Sequence, residues 1–127
     1  MKNTNKKILK QEFRQRIYLY VLRLVKFLSR LPKMPVIREI ISQLMRSGTS
    51  VGANYFEAQG ASSKKDYQNF FAHSLKSANE TKFWLAILKD GNLIPKELIN
   101  ECDWLLQETK ELANILASSI LTMKGKR

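Results

Sequence analysis

The chain has very few of the residues that build disulfides and metal sites. Its 127 residues include one cysteine, Cys102, and one histidine, His73. A single cysteine cannot form an intramolecular disulfide, which agrees with a reducing compartment. One Cys and one His do not supply the usual ligand set of a zinc site. We therefore expect no metal and no cofactor.

Long apolar runs and phosphate-binding loops are also missing. The longest apolar run is far shorter than the about 18 residues of a membrane span. No apolar segment of a secretory signal follows the basic N-terminus. The two closely spaced glycines, Gly48 and Gly52, fall inside a helical pattern and not in a loop. These absences predict a cytoplasmic protein with no membrane partner.

Residues suited to catalysis are scarce. His73 occupies a helical position at which a partly buried polar role is commoner than that of a general base. Glu57 and Glu80 could form a carboxylate pair, but no His or Asp supports them, so we interpret them as partners of Arg46 or Asn54. The sequence predicts no catalytic residues and no enzymatic activity.

Positive charge, by contrast, is abundant and lies mainly near the N-terminus. The net charge is +11, and residues 1–35 contain ten Lys or Arg against one Glu. A basic segment of this kind attracts phosphate, an acidic membrane surface or an acidic protein. Residues 1–35 are therefore the candidate contact surface.

Apolar residues at three- and four-residue spacing predict four helices. Proline or glycine marks each junction, at residues 32–35, 60 and 91–95. No alternating strand pattern competes, and every connection is short. The 127 residues fit one domain, an all-α, antiparallel up-down-up-down four-helix bundle. The helices are expected at about 8–31, 35–59, 64–90 and 95–123.

The middle of the second helix is unusually poor in bulky side chains. A glycine inside a helix costs about 1 kcal/mol relative to alanine, so Gly48 and Gly52 favour close approach of another helix. Polar residues form a stripe beside them. The alternative is a solvated face with two tolerated glycines. We predict a structural polar network made by Arg46, Ser50, Asn54, Glu57 and Glu80.

Basic residues of the first helix fall largely opposite its apolar stripe on a wheel of about 100° per residue. This arrangement makes them candidates for binding nucleic acid, although a solvated cationic face is the alternative. The predicted nucleic-acid-binding residues are Lys7, Lys10, Arg14, Arg16, Arg23, Lys26, Arg30 and Lys33.

Apolar residues outside the core stripes indicate an oligomer. The predicted oligomer-interface residues are Leu19, Leu22, Phe83, Ile87, Trp104 and Ile115. On the fourth helix, glutamates border the predicted interface residues Trp104 and Ile115. We expect them on a different surface from the basic face of the first helix, so that copies pair head to tail in a ring.

Three segments together resemble a known family: residues 46–58 (RSGTSVGANYFEA), 63–66 (SKKD) and 74–85 (SLKSANETKFWL). The chain is similar to the four-helix-bundle proteins of bacterial ribosomal RNA intervening sequences. The resemblance implies a homo-oligomer, with pentameric rings, and no established enzymatic activity or cofactor. It also implies similarity to the accessory protein of diversity-generating retroelements, a basic pentameric barrel that binds nucleic acid and its reverse transcriptase.

Three functions remain open. The first is a homo-oligomer that binds nucleic acid, RNA in preference to DNA, through backbone electrostatics. The second is a protein–protein scaffold, such as an accessory subunit of a reverse transcriptase. An enzyme is the third, disfavoured because the sequence offers no acid–base constellation.

Overall fold

Four helices and one short 3₁₀ turn make up the computed structural model, which describes residues 2–125 and the side chains from residue 8 onward. The helices are α1 (Lys2–Ser29), α2 (Pro35–Ala58), α3 (Lys64–Asp90) and α4 (Ile99–Met123). Each packs against the helix before and after it, and α1 also meets α4. The predicted up-down four-helix bundle is confirmed.

Helix boundaries follow local chemistry. Pro35 opens α2, where its missing N–H has no helical partner to lose. Ser63 caps α3, because its Oγ accepts a hydrogen bond from the backbone N–H of Asp66 at 3.0 Å. The fourth helix starts later than predicted: a 3₁₀ turn, Lys96–Leu98, follows Pro95, and α-helical geometry begins at Ile99.

A Schellman motif ends α3. The backbone N–H of Leu93 donates to the carbonyl of Leu88 at 3.0 Å, and that of Asn92 donates to Lys89 at 3.1 Å. Asn92, with φ of 55°, takes the left-handed conformation, while Gly91 stays at φ −79°. Asparagine tolerates this region better than most residues, so the reversal occurs one residue beyond the predicted glycine stop.

Helices α2 and α3 form the closest pair in the bundle. The Ser74 hydroxyl donates to the backbone carbonyl of Val51 at 2.7 Å, and the hydroxyls of Thr81 and Ser47 lie 2.9 Å apart. Small side chains let these helices approach, and hydrogen bonds satisfy their buried polar atoms. Serine and threonine side chains, and not the two glycines singled out in the sequence, line the contact between α2 and α3.

The two mid-helix glycines face α1. A Cβ on Gly48 would overlap the Cδ2 of Leu24, and a Cβ on Gly52 would lie 3.0 Å from the Cγ2 of Val21. Side chains of α1 therefore fill the space that the missing Cβ atoms leave. Leu24 is fully buried, so it has little room to move away.

Candidate nucleic-acid interface

Arg16 of α1 is held by two carboxylates of α4. Its Nε donates to Oε2 of Glu108 at 2.7 Å, and its Nη2 donates to Oε1 of Glu108 at 2.8 Å and to Oε1 of Glu111 at 3.0 Å. The hydrogen bond to Glu108 raises the pKa of Arg16 above its ordinary value. Hydrogen bonds from Gln107 and Arg16 lower the pKa of Glu111.

Arg23 is held in the same way, two helical turns further along. Its Nε and Nη2 donate to the two oxygens of Glu101 at 2.6 and 2.9 Å, and this contact raises the pKa of Arg23. The Cζ of the same guanidinium lies 3.6 Å from the ring centroid of Trp104. A planar guanidinium suits both contacts, because it binds a carboxylate with two hydrogen bonds and stacks on an aromatic face.

The expectation that the basic face of α1 and the acidic border of α4 lie on different surfaces was wrong. The two helices are antiparallel neighbours, and arginines spaced by seven on α1 meet glutamates spaced by seven on α4. Arg16 and Arg23 lie on the flank of α1 that faces α4, not opposite the core. These charges pair within one chain and do not supply the complementary patches expected for a ring.

Other predicted cations remain at the surface. Lys26 and Arg30 are exposed, and within the part of the chain that the structure describes neither side chain has a hydrogen bond or ion pair. The guanidinium of Arg14 lies 5.3 Å from the ring centroid of Phe56. Lys10 is exposed near the start of α1.

The last two cations of the predicted set, Lys33 and Lys7, are not assigned to the exposed basic face. The Nζ of Lys33 donates to the backbone carbonyls of Leu28 and Leu31 at 3.3 and 3.1 Å, where α1 ends. A cation is favourable at the C-terminus of a helix, so Lys33 has a structural role. Lys7 belongs to α1, but its side chain lies outside the described residues.

Ser50 and Asn54 form a hydrogen-bonded group on α2. The Nδ2 of Asn54 donates to the carbonyl and to the Oγ of Ser50 at 2.9 and 2.8 Å, and the Oγ of Ser77 on α3 donates to the same Oγ at 3.0 Å. Sequence reasoning missed Ser77. Its position between Ser74 and Thr81 at helical spacing was the available signal.

The charged residues predicted for this network do not join it. Arg46 and Glu57 are exposed, and among the described residues their side chains have no hydrogen bond or ion pair. Glu80 accepts a hydrogen bond from the Nε1 of Trp84 on its own helix at 3.3 Å. The physical reason is their orientation, since they point to solvent while hydroxyls fill the narrow helix contact.

A polar cleft of about 410 Å³ lies above this hydroxyl group. It is lined by Ser50, Asn54, His73, Lys76, Ser77 and Glu80. In the described part of the chain, no three His, Cys, Asp or Glu side chains come close enough to hold a metal ion. Cys102 is buried, and burial raises the pKa of its thiol to about 11.

Four of the six predicted interface residues are exposed: Leu19, Leu22, Phe83 and Ile87. Trp104 and Ile115 are only partly exposed, and Arg23 covers the Trp104 ring. The exposure expected of Trp104 and Ile115 is therefore only partial. The role of all six residues in an oligomer interface stays a prediction.

A further apolar surface, which the sequence did not reveal, lies between α1 and α2. Tyr18 and Phe56 are exposed there and line a groove of about 230 Å³ together with Val21 and Gly52. None of the described helices is long and apolar enough to cross a membrane.

Two comparisons with known proteins point to the same family. The model of the 23S rRNA-intervening sequence protein family matches residues 10–118. A crystal structure from Bacteroides thetaiotaomicron, described as a protein with unknown function from the S23 ribosomal protein family, is 33% identical with a TM-score of 0.72. The match covers 85% of this chain and 97% of that one. No curated protein matches the chain.

Proposed function

Because the chain belongs to the 23S rRNA-intervening sequence protein family, we propose that it is a non-enzymatic, homo-oligomeric bundle that binds RNA through the phosphate backbone. RNA is proposed in preference to DNA because the family is named for intervening sequences of 23S rRNA. The family resemblance favours a pentameric ring.

The observation that carries this proposal is the large excess of unpaired positive charge. The chain has 22 Lys and Arg and a net charge of +11. Over the residues that the structure describes, salt bridges engage three of these cations, Arg16, Arg23 and Lys89. Most of the other Lys and Arg side chains that the structure describes have no carboxylate partner and are available to phosphates. Phosphate contacts gain free energy by releasing counterions from the nucleic acid.

The arginines that pair with carboxylates are less available to phosphate than the other predicted cations of α1. Arg16 and Arg23 are already bound by carboxylates, so a phosphate would have to displace Glu108 or Glu101. Lys26 and Arg30 are exposed on the same helix, and among residues 8–125 no carboxylate pairs with either side chain. We therefore assign Lys26 and Arg30 a larger share of phosphate binding than the helical wheel of α1 suggested.

Exposed apolar residues support the homo-oligomer. Leu19 and Leu22 lie on α1, and Phe83 and Ile87 lie on α3. A single helical bundle gains nothing from apolar residues at these positions, whereas a contact between copies would remove them from water.

The salt dependence of RNA binding tests the proposal. We expect the affinity for a structured RNA to fall steeply with salt, and the double variant Lys26→Ala/Arg30→Ala to flatten the log–log slope by about 1.5. The matched control is Lys82→Ala/Lys110→Ala, which removes the same charge from exposed positions on α3 and α4. It should change the slope less.

Absence of RNA binding at low salt would overturn the proposal. Equal effects of the two double variants would show that the contact is not on α1. Nuclease-resistant binding to a reverse transcriptase, without affinity for free RNA, would support the scaffold alternative instead.

A further inference from the structure

One end of the bundle contains an open cleft of about 840 Å³. Binding of the RNA phosphate backbone, as proposed above, does not use this cleft. It lies where α1 and α3 begin and where α2 and α4 end, because neighbouring helices are antiparallel. The residues that line it include Lys10, Phe13, Tyr55, Tyr67, Phe71 and Ser119.

Four aromatic side chains from three helices border this cleft. Tyr55 and Phe71 are buried, while Phe13 and Tyr67 are half-buried. Neighbouring ring centroids are 5.1 Å apart for Phe13 and Tyr55, 5.5 Å for Tyr55 and Phe71, and 4.8 Å for Tyr67 and Phe71. The helical pattern placed these residues on core stripes, but at this end the rings of Phe13 and Tyr67 remain partly exposed to solvent, while Tyr55 and Phe71 support them from the core.

Positive charge is abundant at this end of the bundle. Lys10 lines it, Lys64 and Lys65 open α3, and Lys124 follows the last residue of α4. All four of these lysines are exposed. Acidic residues at this end are fewer: Glu12, Glu57 and Asp66.

We propose that this cleft receives an unpaired base of the bound RNA, while the surrounding lysines contact the adjoining phosphates. This inference rests on the proposed function. Proteins that recognise RNA loops commonly place splayed-out bases against aromatic side chains, and this contact tolerates different bases because every base has a π-face. A volume of about 840 Å³ lies within the range of small-ligand sites and admits one nucleoside.

The distribution of charge favours a nucleotide over an apolar ligand. A fatty acid carries one anionic group and would need one lysine, whereas exposed lysines of three helices lie at this end of the bundle. A chain of phosphates on both sides of an inserted base matches that distribution.

Two RNAs of equal length test the inference. One is a hairpin with 2-aminopurine in its unpaired loop, and the other is a fully paired duplex. At equal salt we expect the full-length protein to bind the hairpin about 10-fold more tightly and to change its 2-aminopurine fluorescence. Tyr67→Leu removes an aromatic ring from the cleft but keeps apolar volume, and it should remove most of the preference without weakening duplex binding.

Tyr18→Leu is the matched control, since Tyr18 is an exposed aromatic residue of the α1–α2 groove outside the cleft. It should leave the preference intact. Ser119→Phe is a second variant that fills the cleft without removing an aromatic residue, and it should also abolish the preference. Circular dichroism and thermal unfolding would show that each variant is folded.

Equal affinity of the wild-type protein for the two RNAs would overturn the inference and leave the proposed function in place. So would a preference that both cleft variants retain. Binding of neither RNA at low salt would overturn both. Tight binding of a long-chain fatty acid in the cleft that the hairpin cannot displace would assign the cleft to a lipid ligand and overturn the inference.

Discussion

Arg16 and Glu108, which are 92 residues apart in sequence, join the first and last helices through two parallel hydrogen bonds of 2.7 and 2.8 Å. This contact between α1 and α4 uses long charged side chains, whereas small hydroxyl side chains hold α2 against α3. One bundle thus has two seams of different chemistry, and they should respond differently to mutation and to salt.

Glu108→Gln should destabilise the protein by about 1–3 kcal/mol, because Glu108 is only 9% exposed and Arg16 then keeps only the exposed Glu111 as a charged partner. Glu101→Gln is the matched control. Its pair with Arg23 is more exposed, so we expect a loss below about 1 kcal/mol. Urea unfolding at low and high salt measures both. Losses of equal size would show that burial does not distinguish the two pairs.

Releasing Arg23 should strengthen RNA binding. In the Glu101→Gln variant, Arg23 loses its carboxylate partner and becomes available to a phosphate. We expect higher affinity for structured RNA and a salt slope steeper by about 0.7–0.9. Filter binding over a range of salt concentrations gives the slope. If affinity and slope stay at the wild-type values, Arg23 lies outside the RNA contact.

Gly48→Ala should destabilise the fold even though alanine is the better helix former. The new Cβ would overlap Leu24, which is fully buried, and overpacking of this kind costs about 1–3 kcal/mol. Gly60→Ala is the control, because the nearest atom to its Cβ is the Glu57 carbonyl oxygen at 3.8 Å. That change should stay within about 0.5 kcal/mol. Thermal unfolding of both variants checks this ranking, and a neutral Gly48→Ala would refute the close contact.

The buried thiol of Cys102 should make the protein less stable in alkali. Burial raises its pKa from the ordinary 9.0 to about 11. A raised pKa in the folded state means that the favourable contribution is complete below pH 9 and is lost as the pH rises towards 11. Urea unfolding between pH 8 and 11, under reducing conditions, should show a steeper fall for wild type than for Cys102→Ala. Parallel profiles would contradict the assignment.

Leu22→Glu should weaken self-association, because it places a charge on the exposed apolar part of α1. Native mass spectrometry at micromolar concentration would follow the change, with Ser29→Glu as a control on an exposed polar position of the same helix. A wild-type protein that is monomeric under these conditions would remove the oligomer from the proposed function.

The elements of the fold could be predicted because their signals are local. The Ser63 cap and the Pro35 start depend on a few adjacent residues. The residue that takes the left-handed conformation at the end of α3 was harder to predict, since both Gly91 and Asn92 suit a helix end. The structure places the left-handed conformation at Asn92.

The ion pairs could not be predicted from one helix at a time. A wheel shows that Arg16 and Arg23 share a face, but it does not show which neighbouring helix lies beside that face. That information comes from the closure of α1 against α4. The hydroxyl contacts of Ser77 were missed for a related reason, because serine is common on solvated faces and its burial depends on the partner helix.

The position of the chain ends has a practical consequence. Helix α1 begins, and α4 finishes, at the end of the bundle that contains the aromatic cleft. An affinity tag joined ahead of α1 or behind α4 would therefore lie close to the mouth of the cleft and, under our proposal, would compete there with the RNA base. A tag inserted in the connection at residues 91–95 would project from the opposite end and leave the mouth free.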